Sequence, residues 1–105
     1  MSGKYTIEKW TGPEAPSVNG LRAKMEADGY SVFEWSDRPG IRYGMHEHND
    51  DQSHGIVSGR LELTIENEGT FVLAPGDRDF MPAGTRHSAR VIGEEPVVYL
   101  IGAKK

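Results

Sequence analysis

From Tyr30 onward the apolar residues of this chain recur mostly at every second position, and glycine or proline interrupts them every few residues. Successive side chains of a strand point to opposite faces, so this period is that of strands with one buried face. Residues 60–66 show it most cleanly, with Leu61, Leu63 and Ile65 on one side and Glu62, Thr64 and Glu66 on the other. Tyr, Val, Phe and Trp, all favoured in strands, fill residues 30–36. Further short strands are expected at residues 5–10, 41–48, 52–58, 70–73, 78–81, 87–92 and 97–101, with Asn67-Glu68-Gly69 closing a hairpin. A single helix of about two turns is expected before them: Asn19 can cap it, Leu21 and Met25 share a face, and Gly29 sits where a helix stops. The fold class is therefore all-β, a small sandwich or barrel with one short N-terminal helix.

One domain suffices for 105 residues. Residues 1–29 are expected as an N-terminal strand, loop and short helix packing on a barrel formed by residues 30–105. The chain has no cysteine, so it builds neither disulfides nor a thiolate metal site, and any metal must take nitrogen and oxygen ligands. A net charge of −4 without a run of Lys or Arg argues against a nucleic-acid partner. The longest apolar stretch, around residues 97–101, is too short to span a membrane. The opening residues, MSGKYTIEKW, lack the apolar core of a secretion signal, which makes a cytoplasmic protein the expectation.

Three of the four histidines stand out by position. His46 and His48 are spaced i, i+2 in an extended run, which aims both imidazoles at one point. His87 follows in the segment GDRDFMPAGTRH. Neutral imidazoles bind Zn, Fe, Ni, Mn and Cu alike, so one divalent transition metal of unspecified identity is expected.

The two segments together resemble the paired motifs of the cupin superfamily. Gly40, His46, His48 and Gly59 fall in register with the first motif, with Gln52 in place of its usual glutamate. Gly76, Pro82, Gly84 and His87 match the second, with Val91 in place of its usual asparagine. The resemblance covers roughly residues 30 to 101 and implies a double-stranded β-helix, the cupin jelly-roll barrel. It implies His46, His48, Gln52 and His87 as the metal ligands. A neutral amide in place of a carboxylate would leave the ion its full +2 charge, binding it less tightly but acidifying a bound water more. Small cupins commonly pair through an N-terminal strand, so a homodimer is expected.

Counting by twos along the strands places His54 with Gln52, and Arg42 with His46, on the metal-facing side. His54 is then a candidate general base and Arg42 a candidate partner for an anionic ligand. Asp50 and Asp51 read as a solvated turn; Met45, Met81, Phe33 and Trp35 are assigned to packing.

The expected function is that of a metal-dependent enzyme on a small anionic or enolisable metabolite. Its most concrete form is sugar-acid isomerisation or ketonisation, because the ligand set looks similar to that of the small cupins that ketonise unsaturated uronate sugars. Residues 99–105, however, offer no acid–arginine pair of the sort found in those enzymes. An iron-dependent dioxygenase and a non-catalytic, metal-dependent binding or sensing module are the alternatives.

Overall fold

The computed structural model describes residues 4–104; residues 1–3 and 105, the outer ends of the two expected segments, lie outside it. Among the described residues nine strands and one helix follow each other as β1 (Thr6–Glu8), α1 (Val18–Ala27), β2 (Ser31–Asp37), β3 (Arg42–His46), β4 (Asp51–Ser58), β5 (Arg60–Ile65), β6 (Gly69–Leu73), β7 (Arg78–Phe80), β8 (His87–Ile92) and β9 (Val97–Lys104). They form two antiparallel sheets, ordered β1-β7-β4-β9-β2 and β3-β8-β5-β6. This is the expected jelly roll.

The inward faces of both sheets supply the main core. Leu61, Leu63 and Ile65 of β5 are buried against Ile56, Leu73, Met81, Val91, Val97 and Tyr99. Burial of each such side chain contributes about 1.5–3 kcal/mol. Val91, at the position of the family's asparagine, belongs to this apolar layer.

The helix caps differently from expectation. Ser17, not Asn19, accepts the bond from the Gly20 amide at 3.0 Å, so the helix starts earlier and runs ten residues. Leu21 and Met25 do share its buried face. They form a second core with Tyr30 and Leu100 on the outside of the five-stranded sheet. Gly55 and Gly102 allow this close approach, because a Cβ at either would press on Met25. Arg78 pins the helix end from below: its buried guanidinium lies against the rings of Phe80 and Tyr30 and donates to Asp28 at 2.6 Å.

β3 is shorter than expected and carries an extra residue. Tyr43 pairs with Ala89 and His46 with His87, so three steps on β3 answer two on β8. A bulge of this kind shifts every residue before it to the opposite face relative to those after it.

Gly59, between β4 and β5, adopts φ +76, and a Cβ there would collide with the Pro96 carbonyl and lie 2.8 Å from the Val97 Cα. Gly59→Ala should therefore cost at least about 2 kcal/mol. A melting temperature lowered by about 8 °C or more would show it; an unchanged one would mean the β4–β5 turn yields freely.

Candidate metal centre

His46 ends β3, His48 follows just beyond it, and His87 opens β8 directly across from His46. Their candidate ligand nitrogens all lie within 4.8 Å of one another. Ring centroids are 4.3 Å apart for His46 and His87, 4.9 Å for His46 and His48, and 5.3 Å for His48 and His87. The Nδ1 of His46 lies 2.6 Å from the Gly44 carbonyl and that of His87 2.9 Å from the Thr85 carbonyl. Donation from these nitrogens fixes the tautomer and leaves each Nε2 lone pair for an ion.

The electrostatics suit the same purpose. His87, 2% exposed, is pushed down to about 4, first by burial. His48 is also lowered, by burial and then by His46. Neutral imidazoles converging within a few ångström of one another are what a divalent cation requires. The donor set thus fits a metal.

Gln52 lies on β4 with its side chain nearly buried, and strand alternation puts it on the face of His54 and Ile56. Its amide nitrogen donates to Asp50 at 3.1 Å, while its carbonyl oxygen makes no hydrogen bond among the described residues. Asp50 and Asp51 are engaged rather than simply solvated: Asp51 opens β4 and accepts from the Ala83 amide at 2.9 Å.

His54 shares a cavity of about 150 Å³ with His46, His48 and His87. Its Nδ1 is 3.1 Å from both oxygens of Asp79, which also accepts from the His54 amide and from the Tyr5 hydroxyl. Burial alone would lower the His54 imidazole, but the charge and hydrogen bond of Asp79 outweigh it and hold it raised.

Arg42 is elsewhere. It is exposed, pairs with Arg90, and lines an open groove on the outer face with Glu62, Thr64 and Ser88. Counting by twos fails because the bulge lies between it and His46. Tyr43 takes the inward place instead. Trp35 and Phe33, assigned to packing, are 45% and 51% exposed, and Met45 is exposed too. Trp35 lines the cavity with Tyr43 and Tyr99. Asp79, Tyr43 and Tyr99 carried no local sequence signal as site residues. A strand alternation through 78–81 could have marked Asp79 as inward, but nothing local ties it to His54, 25 residues away.

Protons and an ion compete for the same nitrogen lone pairs, so metal content should fall as pH drops toward 4, where His87 takes up its proton. Gln52→Glu adds a negative charge beside the ion and should move the release midpoint to lower pH. Metal analysis across pH 7 to 4 measures both; an unmoved midpoint in the variant would place Gln52 outside the ligand set.

Among solved structures the fold has many counterparts. The DMSP lyase DddQ from Ruegeria pomeroyi DSS-3 superposes with a TM-score of 0.66 at 26% identity, over 74% of this chain and 39% of that one. The oxalate decarboxylase of Lactobacillus farciminis, solved as a formate complex, gives 0.65 at 25% identity, over 72% of this chain and 24% of that one. KdgF from Halomonas sp. gives 0.58 at 25% identity, over 70% of each chain. This chain spans well under half the length of the lyase and the decarboxylase. No curated protein matches it. The sequence pattern of the cupin domain matches residues 33–101, which include β3 to β8 with most of β2 and of β9, and the chain belongs to the cupin family.

Proposed function

We propose that this cupin is a metal-dependent enzyme that moves a proton on a small, enolisable carboxylate, an isomerisation or ketonisation of the sugar-acid type. The observation that carries this reading is the buried His54–Asp79 pair in the same cavity as the three converging imidazoles. Cupin neighbours named for a lyase and an oxalate decarboxylase support chemistry on small acids.

His46, His48 and His87 would hold the ion, with Gln52 as the fourth candidate ligand. A bound divalent ion would supply Lewis acidity, drawing electrons from a substrate oxygen and acidifying the adjacent C–H. The proton is the protein's to handle. With Nδ1 held by Asp79, Nε2 is the His54 nitrogen left for the cavity, where it can take a proton from one atom and return it to another. Asp79 fixes the tautomer and stabilises the imidazolium between the two transfers. Arg42, on the outer face, has no part in this scheme. The low volume of the cavity restricts the substrate to a small acid.

We also propose a homodimer that pairs through β1. That strand is the outer member of the five-stranded sheet, so its free edge offers backbone donors and acceptors to a second copy. Sedimentation should give twice the chain mass, and a proline at Ile7 should return it to one chain; a wild-type monomer at tens of micromolar would end this part.

The catalytic reading is tested by α-proton exchange. Protein loaded in turn with zinc, iron and manganese should exchange α-protons of a keto or hydroxy acid with D₂O, followed by proton NMR. His54→Gln should slow exchange about 10²–10⁴-fold, with metal content unchanged. Asp79→Asn should slow it less and shift its pH profile. Acids that bind without exchange would make the protein a binding module, and oxygen consumption would make it a dioxygenase.

A further inference from the structure

The cavity carries an aromatic wall that the proton transfer does not use. Trp35, Tyr43 and Tyr99 line it, and their polar tips all turn to one carboxylate, Asp37. Trp35 Nε1 donates at 3.2 Å, the Tyr43 hydroxyl lies 2.9 and 3.0 Å from the two oxygens, and the Tyr99 hydroxyl lies at 3.4 Å. Asp37 is not itself a lining residue, so the rings stand between it and the cavity. It forms no ion pair with a Lys, Arg or His among the described residues.

Two consequences follow from this arrangement. With their donors committed to Asp37, the three rings offer the cavity π surface rather than hydrogen-bonding groups. That surface is electron-rich, and an uncompensated carboxylate behind it makes the wall attractive to positive charge. The kind of cation is restricted as well. Asp37 already accepts from three side chains, so a primary ammonium entering here would leave N–H donors unpaired after losing water, at a cost. An alkylated onium, with charge spread over methyl groups and no N–H, loses no such bonds.

We propose that Trp35, Tyr43 and Tyr99, positioned by Asp37, form an onium-binding subsite, and that this cavity also takes, beyond the sugar-acid type of substrate, a small zwitterion bearing an alkylated onium head and a carboxylate. The onium end follows from the aromatic wall alone; the carboxylate end rests on the metal reading above. The volume of about 150 Å³ suits a molecule of this size.

An isosteric pair tests the idea. Trimethylammonioacetate and 3,3-dimethylbutanoate have the same shape and the same carboxylate, and differ in the charge of the head. Binding is followed through Trp35 fluorescence in a Trp10→Phe background, which leaves one tryptophan, with zinc loaded. The onium compound should bind at least tenfold more tightly, and Asp37→Asn or Tyr43→Phe should shrink that preference without abolishing binding of the isostere. A merely structural role for Asp37 would weaken both ligands equally. Tetramethylammonium, titrated into metal-free protein, probes the wall without the carboxylate. If it binds while zinc adds nothing to the affinity of the zwitterion, the subsite stands and the metal–carboxylate reading falls. If the isostere binds as well as the onium compound, or no onium compound binds, the subsite is wrong.

Discussion

One buried carboxylate holds the site in its shape. Asp79 has no exposed surface, and an ion in that position is costly unless its oxygens are all met. They are met by the Tyr5 hydroxyl, the His54 amide and the His54 ring. Tyr5 precedes β1, His54 belongs to β4 and Asp79 to β7, so three segments of one sheet meet at two oxygens. The Ser53 hydroxyl adds a bond to the Asp79 carbonyl and in turn receives Arg78. Loss of the carboxylate would leave Tyr5 and His54 unpaired in a dry interior. Structure and chemistry share the same two atoms here.

The triad has a different physical basis. Burial first, and then the neighbouring histidines, hold His48 and His87 below the ordinary imidazole range, so the fold keeps these two ready for an ion. His46 and His87 are each aimed by the carbonyl two residues back. The spacing of the histidines therefore encodes both the convergence and, through the local backbone, the orientation.

Much of this was legible in the sequence because it is local or periodic. The alternation in β5 marked the core, and His46-x-His48 with His87 marked the cluster. What was not legible is what depends on register or distance. A single extra residue in β3 reverses the face of everything before it, and no composition rule announces it; Arg42 was lost to the outer groove and Tyr43 gained for that reason alone. The His54–Asp79 pair joins strands that meet only in the folded sheet. Trp35 read as packing because aromatic residues in strands usually are, yet it sits on β2, the outermost strand of its sheet among the described residues, and is exposed.

Asp37 and Tyr43 belong to different sheets, β2 at one edge and β3 at the other, and the bonds between them close the open side of the sandwich. The latch that shapes the cavity wall is thus also a seam between the sheets. Parting the sheets at this edge would break it, whereas a turn of the exposed Trp35 ring gives up only its own bonds to Asp37 and Tyr43. Rotamer changes of that kind take picoseconds to nanoseconds, far faster than a lid or a hinge. Fast motion at this edge of the cupin is therefore a matter of side chains, whereas separating the sheets has to break the bonds between Asp37 and Tyr43.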